Sequence, residues 1–402
     1  MRLVSRSILA VFALPAVFAA GQTVIPIRDA AGQSPMHPSY LTLFDNYLYF
    51  RASNAPSGTD AELWRTDGRT AERAADVLSG PEGSSPAYLT GFNGKLYFQA
   101  NGPSGANRLY QFDPKTSAAS LAPGSAANAS LPDELTVYNN TLFFRATNFA
   151  TVGAELWKFD GTTQTPMNIY PGTGSSYPQH FIQYNGLLYF NANGQSGQGS
   201  ELYRTNGTTV VNVATLYPGN GSSPENFCVY NNKLFFSAYD GVRGRELWSY
   251  DSASNQAQLA ADIVPGVSSS SSNPSNLAVY KGKLYFQATD GQHGYELWAY
   301  DGHAAAMVAE INPTPNPYNG DDWMMDSSPT ALTVFHDKLY FVADDGAHGR
   351  ELWSFDGTTA RMVLDLNPGS YGSGISELVV FNDTLYLAAD ALYNSAQGVP
   401  DP

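Results

Sequence analysis

A chain of 402 residues would ordinarily divide into two or three domains, yet charged residues are only 14% of this one, against roughly 25% in an average soluble protein. Its formal net charge of −15, with no basic block, excludes nucleic acid and anionic lipid surfaces and favours cations or neutral hydroxylated partners. The one cysteine, Cys228, excludes an internal disulfide framework, so stability has to come from packing.

The N-terminal stretch differs from everything after it. Arg2 and Arg6 flank an apolar run from Ile8 to Phe18, and Val17 with Ala19, or Ala19 with Gly21, fits the small-residue positions of a signal-peptidase site. Residues 1–20 are therefore expected to be a secretory signal peptide. The apolar run is too short to span a bilayer, and no later segment is apolar for long enough. Residues 21–402 are expected to form a single exported domain, in the periplasm, cell envelope or medium, with no transmembrane anchor.

A short strand, Val24 to Ile27, comes next, and then a repeat. The tripeptide Leu-Tyr-Phe or a near copy begins at Leu48, Leu96, Leu142, Leu188, Leu234, Leu284, Leu339 and Leu385, at intervals of 46 to 55 residues. Each copy is preceded by an apolar run such as Leu277 to Tyr280 and joined to it by a two-residue turn: Asn93-Gly94, Asn139-Asn140, Asn185-Gly186, Lys281-Gly282, His336-Asp337 or Asn382-Asp383. Residues that tolerate positive φ between two alternating runs predict a hairpin. A third strand, typified by Glu296-Leu297-Trp298-Ala299-Tyr300, ends in an Asp-Gly turn and leads to a fourth, such as Met362 to Leu366. No segment has helical periodicity. Four antiparallel strands repeated at this interval predict an all-β propeller, with eight blades favoured and seven blades plus a stray terminal hairpin as the alternative. In the eight-bladed reading Ala391-Leu392-Tyr393 is a degenerate third strand of the last unit, and Val24 to Ile27 closes the ring as its outer strand, removing two open edges.

These repeats resemble those of bacterial exported proteins with an ELWxxDGT repeat. Glu62 to Gly68, Glu155 to Gly161, Glu296 to Gly302 and Glu351 to Gly357 match, and Glu201 to Gly207 matches with Tyr203 and Asn206. Blade two departs most, reading Arg108-Leu109-Tyr110, and blade five loses the turn glycine at Ser252. The resemblance covers almost the whole chain after the leader and implies no defined activity.

A glutamate that recurs at Glu62, Glu155, Glu201, Glu246, Glu296 and Glu351 reads as structural, accepting backbone or turn hydrogen bonds. The aspartate of each Asp-Gly turn reads as a turn former. Function is then expected in departures from the repeat, on the face that carries the second-to-third and blade-to-blade loops. Three features map there. One is Asp-Gly-x-x-Gly at Asp240, Asp290 and Asp345. Another is the insertion Pro313 to Pro329, with Tyr318, Asp321, Asp322, Trp323, Met324, Met325 and Asp326. The third is a set of histidines, His37, His180, His293 and His348.

Trp323, Met324, Met325 and Tyr318 have the composition of a partner-binding hot spot. Asp321, Asp322 and Asp326 offer hard oxygen ligands for calcium, although the twelve-residue calcium loop is absent. His293, His348 and His37 beside the methionines have ligand types that copper accepts. Serine-hydrolase elbows, phosphate-cradling loops and zinc-type His-Glu-x-x-His are missing, and Cys228 in an apolar run reads as a buried, inert thiol. The sequence thus points to a non-catalytic binding or scaffold module of the cell envelope, holding an envelope or surface-layer protein or a glycan. The alternative is a secreted metalloenzyme with a copper-type redox site, for example one that disproportionates superoxide.

Overall fold

Why the repeat makes a blade is visible in blade 3. Along its third strand, Val152–Phe159, successive side chains point to opposite faces of the sheet. Trp157 and Phe159 pack on Phe92, Tyr97 and Leu109 of blade 2, whereas Leu156 packs on Leu188 and Phe190 of blade 4. A sheet sandwiched between two others is apolar on both faces, which is why these strands read as continuous apolar runs. Each aromatic so buried contributes on the order of 2 kcal/mol.

The computed structural model describes residues 5–13, 23–124, 129–148, 150–194, 199–313 and 326–392, and among them there are strands and no helix. Seven four-stranded antiparallel blades follow one another, from Met36–Phe44 at the inside of blade 1 to Ala360–Leu364 at the outside of blade 7. The favoured count of eight is therefore corrected to seven. In the last repeat only Glu377–Phe381 and Thr384–Leu392 form strands, and Ala391 and Leu392 prolong the second of these where a third strand was expected. Tyr393 lies outside the described residues. This hairpin makes no sheet of its own. Ser5–Ala13, within the stretch of leader composition, pairs with Thr384–Leu392, and Thr23–Pro26 pairs with Ser5–Ala13, joining the hairpin to the sheet of blade 1. The N-terminal strand thus reaches the terminal unit one strand further out than a direct pairing would place it.

Side chains of the hairpin fill the gap between the first and last blades. Phe381, Tyr386 and Ala388 share a cluster with Ile27, Leu48, Phe50 and Trp64, while Leu378, Leu385 and Leu387 pack on Phe335, Tyr340 and Leu352 of blade 7. Glu377–Phe381 touches the innermost strands of both neighbours, so the inner strands close a circle around a central channel.

The repeat glutamates bolt each blade to the next. Glu62 accepts from Ser84 N and Oγ, Glu155 from Ser176 N and Oγ, and Glu246 from Ser272 N and Oγ; in each case the serine lies just ahead of the inner strand of the following blade. Val77, Ile169, Ile263, Ile311 and Leu366 also donate their N–H groups to these carboxylates. Blade 2, with Arg108 at this position, lacks the bolt, and the matching Ser130 Oγ donates instead to Thr147 O within its own blade. On the opposite face, Tyr138, Tyr184, Tyr230 and Tyr280 each donate to a carbonyl in the next blade's hairpin turn, at 2.8, 2.8, 2.9 and 2.6 Å. Both residues of turns such as Asn139-Asn140 and His336-Asp337 have positive φ, as the hairpin reading requires.

Candidate functional site

The described candidates of the loop face are engaged locally. Asp290 Oδ1 accepts from Gln292 N and His293 N, and its Oδ2 lies 2.8 Å from His293 Nδ1; Asp345 holds His348 in the same way, again at 2.8 Å. Blade 5 puts Arg243 at that position, 2.6 Å from Asp240. Arginine never ligates a metal as readily as it pairs a carboxylate, so this register selects a cation that folds onto its own loop aspartate. The aspartate raises the affinity of His293 and His348 for a proton. His37 Nε2 lies 3.1 Å from Pro56 O in the neighbouring loop of its own blade.

Asp326 Oδ1 accepts from Tyr295 N at 2.8 Å, the role that Ser175 and Ser271 hydroxyls play for Ala154 N and Arg245 N in other blades. It belongs to the blade frame. Tyr318, Asp321, Asp322, Trp323, Met324 and Met325 lie outside the described residues. Among the described residues no three His, Cys, Asp or Glu side chains gather in a group able to hold a metal, and no helix is long and apolar enough to cross a membrane. The Cys228 thiol is half-buried where full burial was expected, and burial pushes it up to about 11.

A different set of residues does come together, around the channel. Every innermost strand of the seven blades carries a bulge, one residue more than its partner strand, so that Ser39 faces Arg51 and Thr42 faces Tyr49. The bulged residue adopts left-handed φ although none is glycine: Tyr40 (58°), Tyr88 (56°), Glu134 (56°), His180 (58°), Asn226 (58°), Asn276 (55°) and Ala331 (55°). Such a conformation costs an ordinary residue about 1 to 2 kcal/mol, so the surrounding packing has to impose it. Flanking positions hold the strands together across blades: Thr42 Oγ1 donates to Leu89 O at 3.3 Å, Thr90 Oγ1 to Leu135 O at 3.2 Å, and Gln183 Nε2 to Val137 O at 2.7 Å.

The ring is chemically lopsided. Over blades 1 to 4 it shows two tyrosines, an acid and a histidine, beside a cavity of about 250 Å³ lined by Tyr88, Leu89, Thr90, Glu134, Leu135, Thr136 and Phe181. The Tyr40 and Tyr88 rings meet at 5.4 Å with their planes 54° apart, and the Arg51 guanidinium lies 5.2 Å from the Tyr40 ring centre. Burial, then the neighbouring Tyr40, raises the Tyr88 phenol above its ordinary range. Behind the bulge, Asp133 is pushed up by burial and held by a salt bridge to Arg145. Tyrosine faces, a phenol, a carboxylate and amides suit hydrogen bonding and stacking to a polar, ring-bearing or amide-rich partner.

The repeat departures point to the loops and leave this ring aside, apart from His180, which they place on the loop face. The signal was present. In Ser-x-Pro-x-Tyr88-Leu-Thr, Ser-x-Pro-x-Glu134-Leu-Thr and Ser-x-Pro-x-His180-Phe-Ile, one freely varying position sits in a constant frame.

No protein-family model matches this chain, and neither does any curated protein. Among solved structures it is similar to the β-propeller domain of the trilobed protease from Pyrococcus furiosus, whose ring has an open velcro topology: 12% identity, TM-score 0.47, over 82% of this chain and 98% of that one. It is also similar to a puromycin hydrolase, at 14% identity and TM-score 0.49 over 88% of this chain and 58% of that one. A puromycin-hydrolyzing peptidase of Mycobacterium tuberculosis gives 10% identity and TM-score 0.49, over 84% and 53%. The chain thus spans little more than half the length of each of these two proteins.

Proposed function

We propose that this protein is an exported, non-catalytic binding module of the cell envelope, which receives part of a protein or glycan partner at the mouth of its central channel. The supporting observation is the channel ring, where Tyr40, Tyr88, Glu134, His180, Asn226, Asn276 and Ala331 occupy one strained register in an otherwise repeated frame. Glutamates and turn aspartates that recur in the blades are consumed in holding blades and turns together, whereas the ring residues differ from blade to blade. Tyr177 and Tyr371 on the blade-to-blade loops are exposed as well.

Tyr88→Ala tests the reading. Incubated with isolated envelope material and sedimented, the variant should be retained at least fivefold less than the parent chain, with its urea midpoint unchanged. Undiminished retention of a folded Tyr88→Ala protein would remove the channel mouth from the binding surface.

A further inference from the structure

Two of the bulges already bind a carboxylate, and it comes from the preceding unit. Glu377, at the ring position of the terminal hairpin, places its two oxygens 2.8 Å from Tyr40 N and 2.8 Å from Leu41 N. Glu134 of blade 3 likewise accepts from His180 N of blade 4 at 3.0 Å. At Tyr40 and Leu41 two consecutive N–H groups face one carboxylate, and successive N–H groups turned to a common point form an anion-binding concavity. These two bulges are carboxylate receptors, and in each the side chain that fills it is the ring residue one unit earlier.

At the other five bulges the preceding ring residue is not an acid, and those of blades 5 to 7 follow one another. The bulges at Asn226, Asn276 and Ala331 have φ of 58°, 55° and 55°, within a few degrees of those at Tyr40 and His180. The ring residues preceding them are His180, Asn226 and Asn276, and among the described residues no carboxylate side chain reaches their N–H groups. Three residues further along the same strands stand Val229, Val279 and Val334, which are 38, 40 and 45% exposed although a buried aromatic follows each. Three bulges of the same conformation thus follow one another in adjacent blades, each with an exposed valine three residues along its strand.

We infer that the sector of the channel formed by blades 5 to 7 binds a carboxylate joined to an aliphatic body, the N–H groups of Asn226, Asn276 and Ala331 taking the head and Val229, Val279 and Val334 the chain. This deepens the binding-module reading and rests on it for the channel mouth as the point of entry. A fatty acid and an aliphatic residue at a peptide C-terminus share this chemistry. The net charge of −15 opposes any anion at long range, so affinity should rise as salt screens that repulsion, opposite to the usual behaviour of an ion pair.

Calorimetric titration of the full chain with octanoate, N-acetyl-leucine and octan-1-ol tests the inference. One of the two carboxylates should bind, distinguishing a lipid-like from a peptide-like source, and the alcohol should bind at least tenfold more weakly. Asn276→Glu should place its carboxylate on the N–H groups of blade 7, as Glu134 does on those of blade 4, and reduce affinity at least tenfold. Asn226→Glu should do the same for blade 6. Equal binding of octanol, no binding of either carboxylate, or undiminished binding by both folded glutamate variants would overturn the inference. If the carboxylates fail while Tyr88→Ala still abolishes envelope retention, this inference alone falls and the channel reading stands.

Discussion

At the scale of single residues, the repeat glutamate is the most exacting position. Burial pushes Glu246, Glu296 and Glu351 up to about 7, against the hydrogen bonds that hold them down. The geometry accommodates the proton. Ser327 Oγ lies 2.6 Å from Glu296 Oε2 and 3.1 Å from Tyr295 O, so the hydroxyl can accept from a protonated Glu296 while donating to that carbonyl. A carboxyl whose folded pKa lies above its unfolded value of about 4.5 stabilises most fully below pH 4.5, and that contribution is lost as pH rises through about 7. The turn aspartates act in the opposite sense: Asp160 is lowered to about 2 by hydrogen bonds from Thr163 and Thr162, and Asp356 is lowered by Thr358 and Thr359, so their contribution is lost only as pH falls below the usual carboxylate range. Stability should therefore peak near pH 5 and decline toward pH 8. Glu296→Gln cannot ionise, so its deficit relative to the parent chain should be larger at pH 5 than at pH 8, by on the order of 2 kcal/mol. Glu296→Leu leaves buried N–H groups unpaired and should be worse than Glu296→Gln at both pH values, by roughly 1 to 3 kcal/mol. Urea titrations of the three proteins at the two pH values check both expectations, and a pH-independent gap would contradict the shifted titration.

At the scale of the element, the inner strand is the one that departs from a regular ladder. Its bulge puts one residue per blade in a left-handed conformation and, in blades 1 and 4, turns N–H groups toward a carboxylate of the preceding unit, which no unbroken antiparallel strand could do. The conformation is imposed on side chains that resist it. Ala331, at φ 55°, has no hydrogen-bonding side chain to favour the left-handed region. Replacing it with glycine should raise the urea midpoint, with a gain of up to about 1 kcal/mol once the entropy of the unfolded chain is subtracted. The same change at Ala343, fully buried in a regular strand, should lower it by about 1 kcal/mol. If both glycine variants lost stability equally, strain at the bulge would not be a real cost.

At the scale of the whole molecule, closure depends on residues far apart in sequence. Ile27, 3% exposed, packs beside Trp64, Phe381 and Tyr386, and Arg28 O accepts from Ala71 N at 2.9 Å on the outer strand of blade 1. Deleting residues 21–30 should cost several kcal/mol and make the chain prone to edge-to-edge association. Ile27→Ala alone should cost about 2 to 4 kcal/mol through the cavity it leaves. Denaturation and light scattering of the two variants check this, and a monodisperse deletion variant with an unchanged midpoint would show that the ring closes without the N-terminal strand.

Repetition is what made so much of this protein legible as sequence. A two-residue turn, a Leu-Tyr-Phe strand and a Glu-Leu-Trp strand each obey local stereochemistry, and recurrence at a fixed interval means that neighbouring copies bury one another, so blade architecture and the structural role of Glu62 through Glu351 followed from the residues alone. The blade count did not. Whether the last copy completes a sheet turns on Ala391 and Leu392 continuing one strand instead of turning into the next, a choice between two extended conformations that residues so alike barely discriminate. Nor did the channel ring, because its bulge is forced by neighbouring blades on side chains whose own preference runs the other way, and no local propensity announces a conformation that only packing imposes. The carboxylate of Glu377 meets Tyr40 and Leu41 across more than 300 residues of chain, and such a contact exists only once the circle is closed.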